Sequence, residues 1–242
     1  SGTNGGRLLQ IIDAKSGAQY NVSYSATGPT GRLTSIVSTL ATGDGIYLVY
    51  DTSNRLTAIN PREGGTTRGQ VWYEYDASNR ITAVITDLTP DTLTTGANAL
   101  SAQTGDNAWN GAIATANNGK LFRTTYAYVG TSLQIASVVH SDGTKLSFGY
   151  DDSGRVIRTT VGDLNGDDSD GLGQTTIYAY GTPSAGLGSV TVTDASQRTW
   201  TYTFDDATRE LKRIESPAVA GVIDVTSYTY DTSGNVVQIK TE

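Results

Sequence analysis

Apolar and polar positions alternate along this chain in short runs, and the runs return. Ile46-Tyr-Leu-Val-Tyr-Asp-Thr-Ser-Asn-Arg-Leu-Thr-Ala-Ile59 and Val71-Trp-Tyr-Glu-Tyr-Asp-Ala-Ser-Asn-Arg-Ile-Thr-Ala-Val84 match almost position for position, with Tyr50 and Tyr75 in register 25 residues apart. The phrase comes back as Phe148-Gly-Tyr-Asp-Asp-Ser-Gly-Arg-Val-Ile157, as Tyr202-Thr-Phe-Asp-Asp-Ala-Thr-Arg-Glu-Leu211 and as Tyr228-Thr-Tyr-Asp-Thr-Ser-Gly-Asn-Val-Val237. A degenerate first copy is Val22-Ser-Tyr24, its turn expanded before Gly31-Arg32-Leu33; Tyr126-Ala-Tyr128 and Tyr178-Ala-Tyr180 look like copies that have lost the Asp. Self-similarity at a period of this size marks a repeat architecture.

Each phrase predicts a β-hairpin. The first arm alternates, as in Tyr73 and Tyr75 against Trp72 and Glu74, so one of its faces is aromatic. The loop Asp-x-Ser-Gly/Asn-Arg suits a tight reversal: the Asp side chain can accept backbone amides, and Asn54, Asn79, Gly154 or Gly234 can take positive φ. In the second arm the apolar pair is spaced i, i+3 (Leu56 and Ile59), which plain alternation does not produce. Either both faces of that arm are covered or a bulge intervenes. A shorter phrase, Asp13 to Tyr20, Asp142 to Leu146 and Asp194 to Trp200, is again a turn followed by an alternating strand. Units of about 25 residues therefore follow one another, and stacking is compulsory because no hairpin buries an aromatic face alone.

These phrases resemble the YD repeat, also called the RHS repeat, with signature Tyr-Asp-x-x-Gly-Arg-Leu. The positions that carry the resemblance are Tyr50, Asp51 and Arg55; Tyr75, Asp76 and Arg80; Tyr150, Asp151, Gly154 and Arg155; Phe204, Asp205 and Arg209; and Tyr230, Asp231 and Gly234. The resemblance implies an all-β chain of consecutive antiparallel hairpins forming a long curved sheet, a segment of a spiral β-shell. It makes residues 1–242 one repeat domain cut from a larger protein. Family members include bacterial Rhs polymorphic toxins, the cocoon subunits of Tc toxins, wall-associated proteins and teneurins, and in the toxin members the shell encloses a C-terminal toxic domain. The implied partners are neighbouring repeats of the parent chain and an enclosed toxin domain, and the implied location is secreted or on a bacterial cell surface. The self-cleaving members' Pro- and Gly-rich motif has no counterpart, since no Asp-Pro-x-Gly occurs.

Two segments break the pattern. Residues 87–120 form an Ala-, Thr-, Asn- and Gly-rich insertion in which Asp106 is placed to cap a short helix with Trp109, Ala112, Ile113 and Ala116 on one face. The insertion is expected to lie over the sheet as a helix or loop, with a partner-contacting loop as the alternative. The second segment is Asp163-Leu-Asn-Gly-Asp-Asp-Ser-Asp-Gly171. Asp163, Asn165, Asp167 and Ser169 alternate as oxygen ligands do in calcium loops, although Asp168 stands where such loops carry Gly and Gln174 where they carry a bidentate Glu. Calcium is thus the one candidate cofactor, against the plainer alternative of a solvated acidic turn.

Composition narrows the chemistry further. The chain has 242 residues with no Cys, no Met and one His, so thiol chemistry and thiolate metal sites are excluded, and His140 is the sole candidate imidazole base. The lack of both oxidisable sulfur residues suits an oxidising exterior. A formal charge of −7 argues against nucleic acid. No apolar run reaches the roughly 20 residues of a membrane-spanning helix. Acidic pairs such as Asp151-Asp152 and Asp205-Asp206 recur at one turn position, which a turn requirement produces; an active site needs one unique constellation. The arginines after the turns are expected to pair with the turn Asp or to cover neighbouring tyrosines with their stems. The sequence therefore points to a non-enzymatic structural scaffold. The alternative is a carbohydrate-binding surface adhesin that stacks cell-surface glycans on Trp72, Trp109 or Trp200.

Overall fold

The computed structural model describes residues 6–26, 31–41, 43–87, 121–162 and 173–242. The expected helix in the 87–120 insertion, with Trp109, and the acidic loop with Asp163, Asn165, Asp167 and Ser169 lie outside the described residues. Every described element is a β-strand, and the strand pairings are antiparallel, as the hairpin pattern predicts. Two compact units divide the chain, Ser1–Tyr126 and Ala127–Glu242.

The first unit is a meander of β1 (Gln10–Ile12), β2 (Gln19–Tyr24), β3 (Leu33–Ser38), β4 (Gly45–Tyr50), β5 (Leu56–Glu63), the two-residue β6 (Thr66–Thr67), β7 (Val71–Tyr75), β8 (Ile81–Asp87) and β9 (Leu121–Tyr128). Strand β5 is long enough to pair with both β6 and β7. There the buried Gln70 side-chain amide donates to Asn60 Oδ1 at 2.6 Å, holding the return of the chain in register. The second unit continues in the same manner through β10 (Ile135–Val139), β11 (Lys145–Tyr150), β12 (Val156–Val161), β13 (Gln174–Ser184), β14 (Leu187–Thr193), β15 (Thr199–Asp205), β16 (Leu211–Glu215), β17 (Val225–Tyr230) and β18 (Val236–Thr241).

The i, i+3 spacing resolves into a bulge. Tyr50 pairs with Leu56, but Val49 pairs with Ala58, so the second arm carries one extra residue, Thr57. Leu56 and Ile59 consequently project to the same side, opposite Tyr50 and Leu48. The register shifts at the same place before Tyr24, Tyr75, Tyr150, Phe204 and Tyr230. One bulge per hairpin is therefore part of the repeat.

The deep core of the first unit lies on the face opposite the signature tyrosines. Ala58, Trp72, Ala83 and Ile85 are fully buried there, with Val49 packed against them. Ala58 and Ile85 flank Trp72 on the two neighbouring strands. Alanine is a poor strand former, and its presence at 58 and 83 makes room for the indole. Tyr50, Tyr73 and Tyr75 are only half-buried. The Tyr50 and Tyr75 hydroxyls reach back to carbonyls of the preceding repeat, those of Leu33 and Leu56.

Candidate functional site

Within the described residues the chemistry recurs instead of converging on one centre. At each regular turn the same clamp forms. Asp51 Oδ1 accepts the Arg55 amide at 2.8 Å and Oδ2 accepts Arg55 Nε at 2.6 Å, while the Asp51 and Arg55 backbones close the loop by an N–H to carbonyl bond of 2.9 Å. Asn54, between them, sits at φ 70°, in the left-handed region that Asn and Gly tolerate. Asp76 with Arg80 and Asp151 with Arg155 repeat the geometry to within 0.1 Å. The backbone amide of the arginine, followed by its side chain, holds the Asp51, Asp76 and Asp151 carboxyls below the usual carboxylate value.

The clamp then reaches forward. Arg55 lies with Cζ 4.8 Å from the centroid of the Tyr75 ring, and its Nη1 donates to Asn79 Oδ1 of that same next turn. Tyr75 Oη in turn donates backwards to the Leu56 carbonyl at 2.8 Å. Each repeat thus receives a hydroxyl on the carbonyl just past its arginine and lays its guanidinium on the ring that carries that hydroxyl. In the first unit this rung also joins Tyr24 to Leu8 and Tyr50 to Leu33, with Arg7 and Arg32 over the rings. In the second unit it joins Tyr150 to Ile135, Tyr180 to Val156 and Tyr230 to Leu211. Sequence reasoning expected arginine to choose between the Asp and the tyrosine; the fork geometry lets one side chain serve both. Replacing Tyr75 by Phe keeps the ring and loses the hydroxyl, so urea unfolding is expected to show a loss of about 0.5–1.5 kcal/mol.

Several signature positions depart from the rule. The 205–210 turn holds one residue more: Asp205 N–H bonds the Glu210 carbonyl, and Arg209 occupies the positive-φ position at 64°. Arg209 is therefore not the clamp arginine that the sequence phrase suggested. It pairs with Asp206 at 2.8 Å and lies over Phe204 of its own repeat. Lys212 takes its forward role, with Nζ 4.9 Å from the Tyr230 ring and 2.7 Å from Glu210. Phe204 has no hydroxyl to offer and packs instead on Gly188, where an added Cβ would lie 2.5 Å from ring atom Cε2. Gly188→Ala must push the ring aside, and a thermal melt should show destabilisation of about 1–3 kcal/mol. At the last turn Asn235 stands in for arginine. Its Nδ2 reaches Asp231 Oδ2 at 3.1 Å, but it carries no charge to place over a ring.

One clamp escaped the sequence reading. Asp194 and Arg198 form the full set of bonds, with Gln197 at φ 62°, on the other margin of the ribbon. Its Asp-x-x-x-Arg spacing equals that of Asp51 and Arg55, and that spacing was the available signal. Of the stacking candidates, Trp72 is 1% exposed and presents no ring face to solvent. Trp200 is half-buried beneath Arg198, whose Cζ lies 5.5 Å from its ring. A shallow pocket of about 280 Å³ is bounded by Tyr20, Ile36, Ser38, Asp44, Gly45 and Ile46. Its single carboxylate, Asp44, already accepts the Gly64 amide at 2.6 Å.

The RHS Repeat family model matches residues 50–92, the stretch that contains the Tyr75 rung and its clamps. That stretch is RHS-repeat sequence. The chain's fold is that of solved Tc toxin proteins. The crystal structure of TcdB2-TccC3-Cdc42 superposes with a TM-score of 0.67 at 17% identity, over 98% of this chain and 11% of that one. TcdB2-TccC3 without its hypervariable C-terminal region gives 0.60 at 18% identity, and the Photorhabdus luminescens Tc holotoxin pore gives 0.66 at 17%. The chain thus spans about a ninth of the length of the chains it matches, 11% in each case. No curated protein matches it in sequence.

Proposed function

We propose that this chain is an RHS-repeat wall segment of a secreted or surface-exposed bacterial shell that encloses a toxin domain or other cargo. The observation that carries the reading is the recurrence of one polar constellation at successive turns. Each rung joins a repeat to the next one and leaves its groups saturated by one another. Saturated carboxylates and guanidiniums make poor acids, bases or nucleophiles, and they make a good lattice. Nearest-neighbour rungs add along the ribbon, which gives stiffness without one central core. The likeness in fold to Tc toxin proteins over nearly the whole chain supports a wall rather than an adhesin.

Electron microscopy of the full parent chain, combined with limited proteolysis, tests this reading. A hollow particle with a protected internal segment is the expected result; an open rod whose segments are all equally cleavable would sink it. The adhesin alternative has its own check. On a glycan array the folded fragment should stay silent in calcium and in chelator, whereas calcium-dependent binding abolished by Trp200→Ala would replace the wall with a lectin.

A further inference from the structure

Several cations in this chain are shared between an aromatic ring and a carboxylate. Arg55 bonds Asp51 and lies over Tyr75, Arg155 bonds Asp151 and lies over Tyr180, and Lys212 bonds Glu210 and lies over Tyr230. Arg198 does the same between Asp194 and Trp200, and Arg209 between Asp206 and Phe204. The shallow pocket of the first unit holds the ring and the carboxylate of such a set without the cation. Tyr20 and Asp44 both line it, and Tyr20 is 37% exposed. Among the described residues no Lys or Arg pairs with Asp44 or lies over Tyr20. The register explains how the pocket forms. Tyr20 and Val22 alternate onto one face of β2, with Ser38 opposite Tyr20, Ile36 opposite Val22 and Ile46 opposite Ile36. The Ser38 amide donates to the Asp44 carbonyl, which sets Asp44 across from Ser38. Strands β2, β3 and β4 are each paired on both sides, so the pocket lies within the sheet and not at its edge.

We propose that this pocket binds the guanidinium of an arginine side chain presented by a partner polypeptide, stacked on Tyr20 and bonded to Asp44. Asp44 Oδ1 accepts the Gly64 amide at 2.6 Å, which fixes the carboxyl and leaves Oδ2 for the incoming donor. Ser38 Oγ accepts the Leu40 and Ala41 amides, so Asp44 is the open charged acceptor of the pocket. Ile36 and Ile46 offer apolar walls to the methylene stem. The volume of about 280 Å³ falls just under the roughly 300–1,000 Å³ of small-molecule sites, which suits one side chain rather than a whole ligand. Arginine fits better than lysine because its planar, weakly hydrated fork stacks on a ring and donates to a carboxylate at once. The site goes beyond the wall reading and does not depend on it.

An amide NMR titration of the folded chain with N-acetyl-arginine methylamide tests the site. The Ser38, Asp44 and Gly45 amides should shift together and saturate, with half-saturation at about a millimolar, the range that one stacked ring and one charge-assisted bond supply. Asp44→Asn keeps the Oδ1 that accepts the Gly64 amide and removes only the charge, so it should weaken binding about tenfold or more while the rest of the spectrum stays in place. Tyr20→Leu should weaken it about two- to fivefold, and Tyr20→Phe, which keeps the ring, should bind as the parent does. The citrulline analogue, neutral and of the same shape, should not saturate. Shifts that fail to saturate, equal binding of the citrulline form, or unaltered affinity in Asp44→Asn would overturn the proposal. Tighter binding of free arginine than of the capped form would overturn it too, since the ligand would then be a free amino acid. A hollow parent particle bears on the wall alone, so failure at this pocket leaves that reading standing.

Discussion

Trp72→Ala is expected to destabilise the first unit by about 3–5 kcal/mol, the cost of emptying a large aromatic site that neighbours cannot refill. Trp72 is 1% exposed and stands between Ala58 and Ile85 on adjacent strands. Alanines at 58 and 83 bring little bulk that could collapse into the space, so most of the cavity would persist. Domains of this kind are stable by roughly 5–15 kcal/mol in all, so one substitution removes a large share. Urea unfolding followed by far-ultraviolet circular dichroism reads the change without depending on the deleted indole. A loss under about 1 kcal/mol would mean that the Trp72 face is not a packed core. Repeat proteins also localise damage. The amides of β5, β7 and β8 should lose exchange protection while those of β14 to β16 keep theirs, because each repeat is held by its neighbours.

The second large effect is acid collapse of the ladder. Asp51, Asp76, Asp151 and Asp194 are all held below the usual value of 3.8, first by the amide of the clamp arginine. Asp205 is lowered by the Thr208 and Ala207 amides, and Asp231 by the Asn235 amide. A carboxyl whose folded pKa is depressed contributes stability that is fully present above its unfolded pKa and is lost as pH falls through the folded one. The melting temperature should therefore stay level from neutrality to about pH 5, begin to fall near pH 4 and keep falling below it. Six turn carboxyls titrate in one direction, so the decline should be steep, and Asp76→Asn should flatten part of it. A melting temperature that already drops between pH 7 and pH 5 would contradict the clamp account.

How much was legible in advance follows from how local each feature is. The turn clamp was readable because its Asp, its positive-φ residue and its arginine lie within five positions, as residues 51–55 show. The bulge was half-readable: the spacing of Leu56 and Ile59 demanded an irregularity without saying which one. The role of Arg209 was misread because a single added residue in its turn puts Arg209 at the positive-φ position, where it pairs with Asp206 instead of Asp205. Lys212 then falls above Tyr230, and no local pattern announces it.

The amino-acid sequence by itself therefore determined the hairpins, their antiparallel order and the tyrosine-aspartate punctuation, because these depend on side chains and amides a few residues apart. Tertiary structure alone decided which face becomes the core around Trp72, where each guanidinium lies and which carbonyl each tyrosine finds. Those partners are separated by 19 residues at the Tyr75 to Leu56 rung and by 24 at the Tyr180 to Val156 rung. Spacing along the chain cannot encode such pairings. They come into being only when one repeat stacks on the next and brings the end of one turn beside the ring of another.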